Sequence, residues 1–383
     1  MDRIFGWKGF LKQDDEFVSL YGHQTYKPGK TYSLPKNDKP RLCELGYHFG
    51  KTLCDVLSYY KPCMDSMVYA RVTASGETDE LNDFNDRKCV ASQITVNEQP
   101  QPLSQWVSGM ATTVSYMDDD GRTGCYKASD DACFLRTDGL CEVRNMPEVV
   151  LRVAGSNSCG VLNGSCSLGY IAGDRHASGS VCVATQKNSY VLCDSVNCLA
   201  CVTGDCSRAE ARNHDAVAVS FGSDCVSQAS ASHSVAVSSN RAKAESSCAV
   251  ALARHEAYAT HGAVAIKRGM DYGHACADGQ STAVVLPAAE PKRSVGTVSG
   301  GLGATLLLGF RYRDVICWYT LFVDGRQIQP DVMYEVVDGH VRPVSLVPVP
   351  DRELRALDRI KPVPSMEEVD KLRGCLNKSQ GMA

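Results

Sequence analysis

The central part of the chain, residues 180–266, alternates apolar and small residues in short segments separated by polar corners. From residue 180 the pattern repeats every nine residues, beginning with SVCVATQKN, SYVLCDSVN and CLACVTGDC, and from residue 234 every seven, as in SVAVSSN and RAKAESS. An apolar period of two predicts β-strands, and a repeated strand with a repeated corner predicts a β-solenoid. Neighbouring coils must cover one another, because one coil buries too little apolar surface to fold alone. We expect the solenoid between about residues 157 and 288.

Alternate residues of a strand face opposite sides, so the segments AVAVS, SVAVS, CAVAL and GAVAI each have a branched face and a small face. The branched residues are Val217, Val219, Val235, Val237, Val250, Leu252, Val264 and Ile266, and the small ones are Ala218, Ala236, Ala251 and Ala265. We predict that the branched side chains fill the lumen and that the Ala row lies outside. A flat row of small residues lets another chain approach closely, so these alanines are the predicted interface of a homo-oligomer, most simply a trimer. A plain solvated face is the alternative.

The fold class is mainly β, with four predicted regions. Residues 1–75 form a small α/β domain, residues 76–154 a polar insertion with short strands such as TTVSYM and EVVLRVA, residues 155–290 the β-solenoid (β-roll), and residues 291–383 a small β segment with a helical tail.

The C-terminal region carries its own strand and turn signals. Two strands are predicted at Val315–Phe322 and Met333–Val337, and Asp-Gly pairs at 324–325 and 338–339 predict hairpin turns. The helical tail is broken by Pro362 and Pro364.

The composition of the chain is typical of a globular protein and argues against several other classes. The 383 residues have a net charge of −4, 44% hydrophobic content and a mean hydropathy of −0.20. These values are typical of globular domains and give no basic surface for nucleic acid. The first residues have no apolar signal region, and no run of 18 apolar residues occurs, so we expect a non-secreted, cytoplasmic protein without a membrane span.

The 19 cysteines are expected to be reduced and to bind no metal. Several, such as Cys182 and Cys248, stand where other repeats carry Ala or Ser, which is typical of a small apolar filler. Cys198 and Cys201, with Cys193 and Cys206 nearby, have a metal-like spacing. However, residues three apart in a strand face opposite sides, so no metal site and no cofactor are expected.

One cluster near the N-terminus predicts a ligand site. His48 lies between Tyr47 and Phe49, and Tyr59 and Tyr60 follow eleven and twelve residues later. Such a set of rings and an imidazole can clamp a planar ring or a phosphate. The alternative is that these side chains pack the core of a small α/β domain.

The units SVAVSSNRAKAESS and CAVALARHEAYATH, followed by GAVAIKRG, resemble the head repeat of trimeric autotransporter adhesins. The resemblance covers about 35 residues well. It implies a β-roll of short coils that trimerises along its length.

Both ends of the chain resemble an uncharacterised family of tailed-phage proteins. At the N-terminus the motifs are Lys8-Gly9-Phe10, Tyr26–Tyr32 (YKPGKTY), Leu42–Phe49 (LCELGYHF) and Leu53–Tyr60 (LCDVLSYY). At the C-terminus they are Val323–Ile328 (VDGRQI), Pro330-Asp331, Tyr334 and Asp338-Gly339. The resemblance implies a phage-encoded protein in the cytoplasm of an infected cell and implies no activity.

Three functions remain open at this point. The first is a non-enzymatic oligomeric binding protein for host takeover or anti-defence, which sequesters a host protein or a nucleotide. The second is an enzyme at the N-terminal domain, because His48 and its aromatic neighbours distantly resemble elements of ADP-ribosyltransferases; no catalytic residue is assigned. The third is a virion fibre component, since trimeric solenoids suit fibres.

Overall fold

The computed structural model describes residues 3–83, 86–107, 124–127, 133–137, 140–144, 149–153, 157–171, 179–268, 272–287, 292–294, 296–345, 351–371 and 373. The fold is mainly β, with a β-solenoid of about seven turns in residues 150–285. The chain divides into two compact units, residues 1–209 with 220–225 and residues 210–219 with 226–383. Among the described residues, no helix is long and apolar enough to cross a membrane.

The N-terminal domain is a β half-barrel of seven antiparallel strands. Strands β1–β7 are Ile4–Gln13, Glu16–Val18, Thr25–Tyr26, Thr31–Ser33, Tyr47–Phe49, Met67–Asp83 and Asp86–Val96. They are ordered β3-β2-β1-β6-β7-β4, and β5 also pairs with β7. Alternate residues of these strands point inward, so Phe10, Val72 and Ile94 meet in one apolar core.

Helical structure in this domain is short. Helix α1 is Leu53–Leu57, and residues 103–107 are also helical. Thr52 caps α1 through a reciprocal pair of hydrogen bonds with Asp55, the capping-box arrangement that fixes where a helix begins.

Strands β6 and β7 extend beyond residue 75, where the sequence pattern places the start of an insertion. Val72 pairs with Val96 and Thr78 with Ala91, so residues up to 96 belong to the N-terminal sheet. The segment TTVSYM lies outside the described residues. The segment EVVLRVA contains the strand Val149–Val153, which pairs in parallel with the strands Cys133–Thr137 and Leu168–Ile171, as a solenoid strand does. The continuation of β6 beyond residue 75 carries no apolar alternation, because residues 77–81 are exposed.

The solenoid strands stack in parallel, residue over residue, as Val181 over Leu199 and Val250 over Val264. Strands β8–β17 are Gly124–Lys127, Cys133–Thr137, Leu140–Arg144, Val149–Val153, Cys159–Asn163, Leu168–Ile171, Val181–Ala184, Tyr190–Cys193, Leu199–Val202 and Arg208–Ala211. Strands β18–β27 are Val217–Ser220, Val226–Ala229, Val235–Ser238, Arg241–Ala244, Val250–Ala253, Glu256–Ala259, Val264–Lys267, Gly273–Ala277, Thr282–Val285 and Gly296–Gly300. The predicted solenoid is confirmed, and residues 210–265 contain no helix.

The predicted orientation of these strands is wrong. Ala218, Ala236, Ala251 and Ala265 are completely buried, whereas the branched residues beside them are partly exposed. In the second unit the lumen between the two sheets is filled almost entirely by alanine. The sheets of so short a coil lie close together, and only small side chains fit between them. The four alanines face the lumen and therefore cannot form an interface with another chain. The branched residues form the outer face.

The second unit ends in two hairpins and a short helical tail. Strands β28–β31 are Thr305–Tyr312, Val315–Phe322, Tyr334–Val337 and His340–Pro343, and the tail contains the helix Asp351–Leu357 and helical residues 366–371. The predicted strand at Val315–Phe322 and the hairpin turn at Asp338-Gly339 are confirmed. The turn at Asp324-Gly325 joins no strand pair, because the Asp324 carboxylate caps three successive backbone N–H groups there.

Candidate ligand-binding site

A cavity of about 620 Å³ lies within the N-terminal domain. Its wall is formed by β1, β5, helix α1 and the loops at residues 19–24 and 43–46. All five side chains singled out in the sequence, Tyr47, His48, Phe49, Tyr59 and Tyr60, line it. The fold thus brings together residues from two separate motifs, and their role in binding stays a prediction.

Aromatic rings make up much of the cavity wall. Tyr26 and Tyr47 are buried, and the Tyr26 ring lies 4.9 Å from that of Tyr32 and 5.3 Å from that of Phe10. Burial raises the pKa of the Tyr60 phenol to about 12. These rings are packed in place and expose flat apolar surface to the cavity.

Two glycines of β1 make room for this wall. A Cβ on Gly9 would lie 2.3 Å from the Tyr60 ring, and a Cβ on Gly6 would lie 2.6 Å from the Phe49 ring. Both distances are far below van der Waals contact, so only glycine lets the rings lie against the strand. This explains the Lys-Gly-Phe motif at residues 8–10 in physical terms.

Lys8 is the buried cation of the cavity. Its side chain lies in the wall, and its Nζ donates a 2.8 Å hydrogen bond to the His48 carbonyl and lies 5.3 Å from the centre of the Tyr26 ring. Burial lowers the pKa of Lys8 to about 8. Within the described part of the chain, no carboxylate lies within ion-pair distance of this ammonium. An ammonium has three N–H groups, so Lys8 can donate to a further acceptor.

The His48 ring acts as a hydrogen-bond acceptor in the cavity wall. Its Nε2 accepts a 2.9 Å hydrogen bond from the Cys43 N–H, and the ring also forms a hydrogen bond with the backbone of Gly46. Burial and the positive charges of Lys8 and Lys88 lower the pKa of His48. The ring therefore fastens the 43–46 loop to β5 and positions this part of the cavity wall.

Asp55 is a lining residue that the sequence pattern did not single out. Its Oδ2 accepts a 2.8 Å hydrogen bond from the Thr52 N–H. Its Oδ1 is buried and has no hydrogen-bond partner among the described residues. Asp55 is the third residue of helix α1, a position where an acidic side chain commonly caps the helix. This role accounts for the hydrogen bond of Oδ2 and does not account for Oδ1.

Lys88 was also missed. It comes from β7 and lies over the Tyr59 ring, 5.4 Å from its centre, where it adds a second positive charge to the cavity wall. A lysine in an antiparallel strand is expected to face solvent, so the sequence pattern did not indicate that Lys88 lines a cavity.

The cysteines whose side chains are described belong to no group that could hold a metal ion. Cys198 is buried and Cys201 is partly exposed, as expected for opposite faces of a strand. Cys193 and Cys198 share a hydrogen bond that lowers the pKa of Cys198 to about 7 and raises that of Cys193. In the described ranges, no three His, Cys, Asp or Glu side chains are grouped as a metal site requires.

Comparison with known proteins adds one match. Residues 4–105 match a family described as a domain of unknown function (DUF7666). No curated protein and no solved structure matches the chain. The matched range contains every residue that lines the cavity, from Trp7 to Lys88.

Proposed function

We propose that this protein is a non-enzymatic, oligomeric binding protein whose N-terminal cavity holds a nucleotide. The observation that carries the proposal is a cavity in which aromatic walls surround a buried lysine, Lys8. The cavity volume of about 620 Å³ falls in the range of small-molecule sites.

The charges support an anionic ligand. Lys8 and Lys88 both line the cavity, and both lower the pKa of His48, so two positive charges act on this part of the wall. A phosphate there accepts hydrogen bonds from the remaining N–H groups of Lys8. Its negative charge also stabilises the protonated form of Lys8, which burial disfavours by lowering the pKa. Tyr26, Tyr47 and Tyr60 offer flat apolar surface to a planar base. A phosphate joined to an aromatic ring is the defining chemistry of a nucleotide.

The hydrogen bonds of His48 favour binding over catalysis. A general base needs a nitrogen within reach of the proton it removes. The Nε2 of His48 is engaged by the Cys43 amide, and the ring forms a further hydrogen bond with the backbone of Gly46. His48 therefore supports the wall, and an ADP-ribosyltransferase-like reaction gains no base from it.

Self-association is the second part of the proposal and rests on the contrast between the two outer faces of the second unit's solenoid. One face carries Val235, Val237, Val250, Leu252, Val264 and Ile266, and the other carries Arg241, Lys243, Glu256, Tyr258 and His274. The occupant that fits the branched face is a second copy of the chain. A second copy has the same row at the same strand spacing of about 4.8 Å, so the side chains interdigitate without burying a charge. Three copies is the stoichiometry that the adhesin resemblance implies.

The cellular role follows from the phage resemblance. In the cytoplasm of an infected cell, an oligomer with one cavity per chain sequesters several nucleotides at once and so withholds a signal from the host. Capture of a host protein by the same domain is the other form of this role. A virion fibre role gains no separate support from the cavity.

A ligand panel tests the proposal. The full chain and a Lys8→Met variant are incubated with nucleoside mono- and diphosphates, cyclic nucleotides, NAD⁺ and inorganic phosphate, and their melting temperatures are compared. We expect at least one nucleotide to raise the melting temperature of the parent protein and to have little effect on Lys8→Met. A matched Lys243→Met variant, changed on the solenoid, should respond as the parent does.

Product analysis of the same samples separates binding from catalysis. We expect every nucleotide to be recovered intact by liquid chromatography. Release of nicotinamide from NAD⁺, abolished by His48→Ala and Tyr60→Ala, would instead support the enzyme, and a panel without any shift would refute the nucleotide site.

A further inference from the structure

We infer that Tyr21 stacks on the base of the bound nucleotide and so makes the N-terminal cavity prefer purine nucleotides. This inference rests on the proposed function and names a specificity-determining residue within that site. It starts from a side chain that lines the cavity and yet is not part of the core of the domain.

Tyr21 is an exposed aromatic side chain of the cavity wall. It is 73% exposed, whereas Tyr26, Tyr47 and Tyr60 in the same wall are buried. A single exposed tyrosine on a protein surface is ordinary. Tyr21, however, combines exposure with a place in a cavity wall, so its ring offers a free apolar face that a ligand in the cavity can cover.

The loop that carries Tyr21 is held in a fixed shape by hydrogen bonds. The Ser19 N–H donates to the Gln24 carbonyl at 2.9 Å. The Ser19 hydroxyl donates to the Tyr21 carbonyl at 2.7 Å and accepts from the Gln24 N–H at 3.1 Å. The backbone of Leu20 forms a hydrogen bond with the Tyr60 phenol, which fastens the loop to the cavity wall. Tyr21 is therefore positioned before the ligand arrives, and stacking requires little further ordering of the loop.

The positive charges and the exposed apolar side chains come from different parts of the wall. Of the described residues that line the cavity, Lys8 comes from β1 and Lys88 from β7, and the two loops contribute no lysine or arginine. The loops instead contribute Tyr21 and Leu45, which is 39% exposed. A phosphate is held at the lysines, and the base then lies against the loops, where Tyr21 supplies the aromatic face.

Stacking on a tyrosine favours the larger base. A purine has two fused rings and covers more of the phenol face than a pyrimidine does. Loss of a base–aromatic stack typically weakens binding by about tenfold or more. Because a ring face does not read the groups at the edge of the base, adenine and guanine should bind alike. Tyr21 thus selects the size of the base.

Two substitutions at Tyr21 test the contact. Tyr21→Ser removes the ring, and Tyr21→Phe keeps it. Tyr272→Ser is the matched control, since Tyr272 is 62% exposed and belongs to the second unit. Substitution of an exposed side chain costs little stability, so these variants should fold, as circular dichroism can verify. Dissociation constants are measured by calorimetry for the four ribonucleoside monophosphates and for inorganic phosphate.

We expect the parent protein to bind the two purine monophosphates about tenfold more tightly than the two pyrimidine monophosphates. Tyr21→Ser should weaken the purines about tenfold and leave inorganic phosphate unchanged. Tyr21→Phe and Tyr272→Ser should stay within about twofold of the parent for every ligand.

Three results would overturn the inference and leave the nucleotide site standing. They are purine binding that is undiminished in Tyr21→Ser, a parent that binds pyrimidines as tightly as purines, and an equal loss in Tyr21→Ser and Tyr21→Phe, which would assign the effect to the hydroxyl. An equal loss of purines and inorganic phosphate in Tyr21→Ser would also overturn it, because the ring would then act on the whole site. If no monophosphate binds the parent protein, the proposed function itself fails, and the inference fails with it.

Discussion

The Nζ of Lys8 donates a 2.8 Å hydrogen bond to the backbone carbonyl of His48, and so joins β1 to β5 across 40 residues of sequence. The His48 ring in turn accepts from the Cys43 N–H. One side of the cavity is thus built from three parts of the chain, with a buried positive charge at its centre. Several expectations follow from the cost of burying that charge.

The stability of the protein should depend on pH through Lys8. Its pKa is 10.5 when unfolded and about 8 when folded, so the unfolded chain binds more protons between these values. Stability therefore rises with pH across the window from 8 to 10.5. Relative to Lys8→Met, we expect the parent to gain roughly 3 kcal/mol in unfolding free energy over this range. Urea titrations at pH 7, 8, 9 and 10 measure it; a constant difference between the two proteins would contradict the burial of a charged Lys8.

Nucleotide affinity should also depend on the protonation of Lys8, but it should fall as the pH increases. A phosphate prefers the protonated ammonium, so the dissociation constant should rise as the pH increases above about 8. The measurement is calorimetry between pH 6.5 and 9.5. Lys8→Met should bind weakly at every pH in this range, and a parent profile that stays flat would count against contact between Lys8 and the phosphate.

A charge in the lumen should disrupt the solenoid. Ala251 is completely buried among alanines, and Leu252 is its partly exposed neighbour on the outer face. We expect Ala251→Glu to lose about 3 kcal/mol or more, because a buried carboxylate there has neither space nor partner. Leu252→Glu should fold normally. Thermal unfolding followed by circular dichroism compares the two, and a stable Ala251→Glu protein would contradict the assigned orientation.

Self-association should depend on the branched outer face. We expect the double variant Val237→Glu, Leu252→Glu to be monomeric and Lys243→Glu, on the charged face, to keep the parent's assembly. Light scattering and native mass spectrometry at micromolar concentration give the masses. A monomeric parent would exclude this interface under those conditions, and a double variant that stays assembled would place the contact elsewhere.

The solenoid could be predicted from sequence because its period is two and its corners repeat. Which face is inside could not. Alternation shows that Val250 and Leu252 share a side, but the spacing between the two sheets decides whether a branched or a small residue fits the lumen. That spacing is a property of the closed coil. At the C-terminus, Asp338-Gly339 marked a true hairpin, whereas Asp324 used its carboxylate to cap the backbone locally.

The candidate site was predictable in part. Aromatic residues around His48 drew attention because the motif is dense in rings, and the fold brings them to one cavity. Lys8 and Asp55 gave no comparable signal. A lysine in a strand reads as solvent-facing, and an aspartate at the start of a helix reads as a cap. Their burial arises from contacts between distant segments, which a single sequence does not display.

The most direct test of the central claim is isothermal titration calorimetry of the full chain with ribonucleoside monophosphates. We expect saturable binding at one site per chain, weakened about tenfold or more in Lys8→Met and in Tyr59→Ala, and unchanged in Lys243→Met. Binding that is absent from the parent, or that is equally strong in all four proteins, would contradict a nucleotide site in the N-terminal cavity.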